Sequence, residues 1–281
     1  MQLARYGKFL GESNVIGWDD VQSEQVVKSA SRALRILELF DVLKREALVS
    51  EVSELLDLPQ SSTSVLLRSL VVAGYLSYNP ETRAYGPTTR VALLGNWING
   101  PMLSDGPLIR FLHRLNAKTG QSIVLAARNQ IWSQYIHVLQ ATSPVRLFVV
   151  KGAKRPLVRS ATGIMLLTEM PDNEIKRICT RYNAERPDMG EPVSVSALLE
   201  NVAAARRNGY AVTDGAITPG AGMVSMLLPR LDSAEQFAVG IAGVSEVMRE
   251  RSEEFMLTMH QEIGDFLSNT GDGQVAEMLP S

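Results

Sequence analysis

Apolar positions recur at helical spacing over residues 52–56 and again over 63–70, and the intervening Asp57-Leu58-Pro59-Gln60 breaks the period. In the first stretch Val52, Leu55 and Leu56 face inward behind Ser50, which is placed as an N-cap. In the second, Thr63, Leu66, Leu67 and Leu70 fall at i, i+3, i+4 and i+7 and form one buried stripe. The opposite face carries Ser61, Ser64, Val65 and Arg68 at the same spacing. Pro59 cannot continue the first helix and tolerates the first turn of the next, and Gly74 supplies the left-handed residue that ends the second. Residues 75–78 and 83–86 then alternate as two strands around the turn Asn79-Pro80-Glu81-Thr82. Upstream, residues 28–40 read as a further helix whose core side is Ala33, Ile36, Leu37 and Phe40, leaving Lys28, Arg32 and Arg35 elsewhere. Together these elements predict a winged helix-turn-helix over residues 27–87, with the helix-turn-helix at about 50–72.

Residues 1–26 show no sustained period and are expected to be a flexible extension, as are residues 272–281 at the other end. Residues 88–100 are expected to form a linker helix with Val91, Leu94, Trp97 and Ile98 on one side. Such a stripe has to be covered, either by a second copy of the chain or by the chain's own second domain. After Asn99-Gly100-Pro101 a different regime begins, in which helices alternate with strands over residues 101–271. Helices are expected at 106–119, 161–168, 172–182, 195–208 and 246–268. Strands are expected at 122–128, 132–139, 146–150, 210–212, 223–230 and 237–244. Short turns between successive strands, such as Asn129-Gln130, favour an antiparallel sheet with helices over it, and hence an α+β protein of two domains.

The 281 residues, with 45% hydrophobic and 21% charged content, suit two globular domains. A net charge of −2 argues against a protein that merely coats nucleic acid, although a sequence-specific reader needs only its docking face to be positive. Cys179 is the single cysteine, which excludes an intrachain disulfide and points to a reducing, cytoplasmic setting. No apolar run is long enough to span a bilayer, and the N-terminus lacks the pattern of a secretion signal.

Signatures of catalysis fail in turn. There is no G-x-S-x-G elbow and no phosphate loop, and Gly220-Ala221-Gly222 lacks the strand and helix context of a dinucleotide site. His137 alternates within a strand pattern, and Cys179 sits on an apolar helix face as a buried thiol. A small-molecule-processing enzyme with an accessory winged module is the alternative reading, but it needs a nucleophile, base or metal cluster that is not visible, and no cofactor is expected. Small and hydroxylated residues cluster instead at Ser160-Ala161-Thr162-Gly163, Thr213-Asp214-Gly215 and Pro219-Gly220-Ala221-Gly222-Met223. Such loops leave space and expose backbone N–H groups, as a pocket for a small anion or aromatic acid requires, although ordinary turns have the same composition.

Five separated segments, KSASRALRILELF, LDLPQSSTSVLLRSLVVAGYL, RAYGPTTRVALLG, SPVRLFVVKGAKRPLVRSATG and NGYAVTDGAITPG, resemble the IclR family of bacterial transcriptional regulators in order and spacing. The resemblance implies a winged helix-turn-helix, a linker helix and a C-terminal GAF-like α/β effector-binding domain with an antiparallel sheet. It also implies a homodimer or homotetramer on a palindromic double-stranded DNA operator, with affinity tuned by a small metabolite. By position it makes Gln60, Ser61, Ser62, Ser64 and Arg68 the DNA contacts of the reading helix. Arg32, and Arg83 on the wing, are further candidates from their own placement. The effector pocket maps onto Ala161, Thr162, Gly163, Thr213, Ala221 and Met223, with Ala242 and Gly243 on the strand behind. Four positions depart from the family's pattern. Val65 replaces a common arginine, Ile164 a common lysine, and Gly215-Ala216 a common acidic pair. A pocket without those charges is expected to take an aromatic or largely apolar acid, its carboxylate near Arg159 or Arg146.

Overall fold

The computed structural model describes residues 27–94, 106–144, 146–185, 190–230 and 235–269. Both terminal extensions, and Trp97 and Ile98 of the linker, lie outside them. The chain divides into two compact units, Met1–Gly100 and Pro101–Ser281.

In the first unit, α1 (Lys28–Leu43) is followed by β1 (Ala47–Leu48), α2 (Val49–Leu55), α3 (Gln60–Val72), β2 (Leu76–Asn79), β3 (Ala84–Pro87) and α4 (Thr89–Leu93). Its core joins Ile36, Leu39 and Phe40 of α1 to Val52, Leu55, Leu56, Leu58, Leu67, Leu70 and the strand residues Leu76 and Tyr85. Leu39 is buried, whereas the expected core residues Ala33 and Leu37 are only partly so, so the inward face is centred slightly further round α1. Thr63, Leu67 and Leu70 are buried as the stripe requires, with Leu66 at its margin. The wing is three-stranded, in the order β1-β3-β2. β1 escapes a period-based reading because two residues have no period; it is recruited by pairing Ala47 with Tyr85 and Leu48 with Ala84. That pairing also moves the start of α2: Leu48 is its N-cap and Ser50 lies in the first turn, not at the cap. Likewise Pro59 is the N-cap of α3 rather than a first-turn residue. Gly74 follows the helix with φ +79°, as expected.

The second unit contains a six-stranded antiparallel sheet in the order β6-β5-β4-β9-β8-β7. Its strands are β4 (Ser122–Asn129), β5 (Trp132–Leu139), β6 (Lys154–Pro156), β7 (Tyr210–Asp214), β8 (Ala221–Leu227) and β9 (Phe237–Val244). Its helices are α5 (Pro107–Thr119), α6 (Ala161–Leu167), α7 (Asp172–Glu185), α8 (Val195–Asn208) and α9 (Ser245–Asn269). Side chains alternate across a strand, so the sheet builds two cores. Ile123, Leu125, Val239 and Ile241 pack with α5 and α9. Val124, Ala126, Ala238 and Ala242 pack with α6, α7 and α8. The second set is rich in small residues, which lets α6 lie close to the strands, and every residue of α6 is buried.

The expected strand at 146–150 does not form. Val149 instead has both backbone groups satisfied by one side chain: Gln140 Nε2 donates to Val149 O at 2.6 Å, and Val149 N donates to Gln140 Oε1 at 3.2 Å. On the side away from β4, β5 pairs with β6 through Trp132–Pro156, Ser133–Arg155 and Gln134–Lys154.

Candidate DNA-reading face and effector-domain cleft

The reading helix α3 presents Gln60, Ser61, Val65 and Arg68 to solvent, with Ser62 and Ser64 half-buried. Ser62 Oγ donates back to Pro59 O at 2.9 Å, so that hydroxyl is already engaged. The side chains of Ser61, Ser64, Gln60 and Arg68 make no hydrogen bond or ion pair among the described residues. Proline at the N-cap has no side-chain acceptor, so the first-turn N–H groups of α3 are left uncapped at an exposed end. Such an end attracts phosphate, while hydroxyls and a guanidinium one and two turns further on can reach base edges. Val65 is 54% exposed in the middle of this face.

The other basic candidates differ among themselves. Arg83 is exposed at the wing turn, in the left-handed region at φ +55°, and has no partner among the described residues. Arg32 is half-buried. Arg35, expected to be available to phosphate, has its guanidinium turned to Leu56 O at 3.4 Å. The ion pair of Arg45 with Glu51 fixes the start of α2; the hydrogen bond between them holds the carboxyl below the ordinary glutamate range against the opposing effect of burial. At the end of α4, Leu93 and the C-cap Leu94 are 58% and 50% exposed in the single chain.

In the second unit most of the mapped effector residues meet in one layer. Thr213 of β7 pairs with Met223 of β8, and Met223 with Ala242 of β9, so the three form a row across the sheet. Ala161 and Thr162, at the start of α6, are both wholly buried, and Ala161 belongs with Met223 and Ala242 to the core on this face. Thr162 accepts from Ser133 Oγ at 2.8 Å. The layer is filled: at Gly240 an added Cβ would lie 2.9 Å from Met223 Sδ and 3.3 Å from Thr162 Cγ2. Gly163 is equally tight, with Leu157 O 2.4 Å from a Cβ placed there. Ala221 is half-buried at the start of β8. Gly243 is not brought together with the others, because its missing Cβ faces Gln121 and Met248 on the opposite side of the sheet.

Beside this layer opens a cleft of about 610 Å³, which of the mapped residues includes only Thr213. Val158, Ile164 and Ala211 line its apolar floor. One face of α8 forms a wall, with Asn201, Ala204, Ala205 and Asn208 at i, i+3, i+4 and i+7. That helix is fixed by Ser194, whose hydroxyl accepts from Ala197 N, and by Gly209 in the left-handed conformation. Arg159 also lines the cleft, together with the exposed Glu191 and Asp214. Arg159 Nη2 donates to Glu191 O, its guanidinium carbon lies 5.9 Å from the Tyr182 ring centroid, and its Nε is buried without a partner. Asp214 is held by Ser245 and by Arg249 at 2.8 Å, and the Ser245 hydroxyl and then Arg249 keep its carboxyl below the usual range. Arg146, the other candidate for a carboxylate, is not in the cleft and donates to Ala141 O at 3.0 Å.

The α8 wall escaped the sequence reading, because its asparagines are too ordinary on a helix to be noticed. Their spacing with Ala204 and Ala205 was the available signal. Cys179 is wholly buried, donates to Val193 O at 3.4 Å, and has its pKa pushed up by burial. Among the described residues no cluster of His, Cys, Asp and Glu could hold a metal ion. No described helix is long and apolar enough to cross a membrane.

Comparison with known proteins decides the family. The model of the bacterial transcriptional regulator IclR C-terminal domain matches residues 108–269, and that of the IclR helix-turn-helix domain matches residues 29–80. The chain belongs to the IclR family. Among curated relatives, the HTH-type transcriptional regulator BhcR of Paracoccus denitrificans is 26% identical over 89% of this chain and 87% of its own length. The repressor AllR of Salmonella typhimurium is 28% identical over 70% of this chain and 72% of its own. The solved IclR transcriptional regulator from Alicyclobacillus acidocaldarius superposes with a TM-score of 0.61 at 22% identity, covering 88% of this chain and all of that one. IclR of Thermotoga maritima gives 0.60 at 18% identity, over 86% and 98%. The IclR architecture, a winged helix-turn-helix followed by a C-terminal domain built on a curved antiparallel sheet, is therefore that of this chain. It is a DNA-binding transcriptional regulator with an effector-binding domain, not an enzyme.

Proposed function

We propose that this IclR-type regulator acts in the bacterial cytoplasm as a homodimer or homotetramer on a palindromic operator, with α3 in the major groove. The observation that carries the reading is the outer face of α3. It offers an uncapped N-terminus for phosphate, then Ser61, Ser64 and Arg68 on one side of the helix without internal partners. Two-fold symmetry of the protein would match two half-sites about one helical turn apart, and Leu93 and Leu94 at the end of α4 are apolar surface that a second copy would cover. Arg83 on the wing and Arg32 on α1 are the supporting phosphate contacts.

The effector is an aromatic or otherwise largely apolar acid bound in the C-terminal domain beneath α6. Thr213, Met223 and Ala242 form one side of its site, and Ala161, Thr162 and Gly163 the other. Met223 occupies the intervening space; an unbranched thioether can change rotamer at low cost and is suited to be the wall that yields. Footprinting on the intergenic DNA beside the chain's own gene tests both halves. A protected palindrome whose protection shifts with aromatic acids from the adjacent pathway is expected. Protection without two-fold symmetry, or none at all, would refute the operator reading.

A further inference from the structure

We propose that the cleft along β7 is a second ligand site, separate from the row beneath α6, and that it takes a monocarboxylate with an apolar body. Its volume of about 610 Å³ falls among small-molecule pockets, and its apolar floor suits a hydrocarbon or aromatic moiety. The choice of an anion rests on Arg159. Its guanidinium ion-pairs with no carboxylate among the described residues, and its Nε is buried with no acceptor. A guanidinium that meets only a carbonyl and an aromatic ring keeps a charge that a ligand carboxylate matches. Asn201 and Asn208 make no side-chain hydrogen bond among the described residues and are available to orient the ligand's polar end. A single charge is favoured because Arg159 is the one cation among the residues that line the cleft, whereas Glu191 and Asp214 are acidic. The cleft touches β7, and Asp214 at the end of that strand is tied to the start of α9, so occupation bears on both elements.

Isothermal titration of the full chain with 3-phenylpropionate, using 3-phenylpropanamide and glutarate as controls, tests the site. The acid is expected to bind at least about tenfold more tightly than the amide or the diacid. Arg159→Gln should remove that advantage, Arg159→Lys should restore part of it, and Ala204→Phe should close the cleft. Melting by circular dichroism checks that each variant is folded. Equal affinity for acid and amide, or no binding of the acid at millimolar concentration, overturns the proposal. Met223→Phe separates the two sites. Binding lost in Met223→Phe but kept in Arg159→Gln places the acid beneath α6, which sinks the cleft and leaves the effector reading intact. Binding lost in Arg159→Gln but kept in Met223→Phe supports the cleft. Loss in both folded variants makes the two sites one and also counts against it.

Discussion

Replacing Gly163 with alanine tests the packing on which the effector layer depends. Gly163 is the third residue of α6, where alanine would ordinarily stabilise the helix by about 1 kcal/mol. Here the added Cβ would lie 2.4 Å from Leu157 O and 2.5 Å from Leu157 Cα, and both are backbone atoms that cannot rotate away. It would also lie 2.6 Å from Ser160 Oγ, the hydroxyl that caps α6 by accepting from Gly163 N at 3.1 Å. Relief therefore requires α6 to move from the 157–160 segment. Overpacking of this kind costs about 1–3 kcal/mol, at the upper end where backbone must shift. Loss of the cap adds about 1 kcal/mol. After subtracting the helix-propensity gain, a net destabilisation of about 2–3 kcal/mol is expected, which lowers the melting temperature of a domain this size by roughly 4–12 °C. Differential scanning calorimetry reads the transition of the C-terminal unit, and operator binding by the other unit serves as a control. A melting temperature that is unchanged or raised in Gly163→Ala would refute the packing described.

Arg68→Ala should weaken operator binding by about 1–3 kcal/mol in gel-shift titrations while leaving the melting curve unaltered, since the side chain has no internal partner; wild-type affinity would remove Arg68 from the interface. Operator affinity should fall linearly with the logarithm of salt concentration through counterion release, and Arg83→Ala should make that slope shallower by about one if the wing touches phosphate. Glu262 is 1% exposed and is held by Lys118 at 2.6 Å and Arg114 at 2.7 Å. Burial pushes its carboxyl upward, but the two cations outweigh this and leave it below the ordinary glutamate value. A depressed folded-state pKa gives stability that is present above the unfolded value and lost as pH falls through the folded one. Acid melts below about pH 4.5 should therefore show a stability loss in the wild type that Glu262→Gln lacks, and identical acid profiles would refute this role.

Elements with strong local signals were legible in the sequence, and the reason is visible in each. α8 has a serine before it and a glycine after it, so its bounds depend on neighbours in the chain. β5 and β9 are long alternating or apolar runs whose length alone separates them from turns. The inward stripe of α3 follows from helical geometry and needs no knowledge of what covers it. Less was legible in the effector domain's site. Gly243 and Ala242 are adjacent in sequence, yet a strand sends them to opposite faces, so only one joins the row with Met223.

By itself the sequence determined the helix-turn-helix, the antiparallel class of the second domain, and the small and hydroxylated segments from which a pocket could be built. All of these depend on spacing within about a dozen residues. Tertiary structure decided the rest. It placed β9 beside β4, drew a two-residue β1 into the wing, and gave the backbone of Val149 to a glutamine side chain instead of a strand. It also closed the layer beneath α6 with Met223 and opened the cleft beside it, lined by Arg159 and by one face of α8. Those outcomes depend on which groups distant in the chain compete for the same hydrogen bonds and the same volume, and no local period encodes that competition.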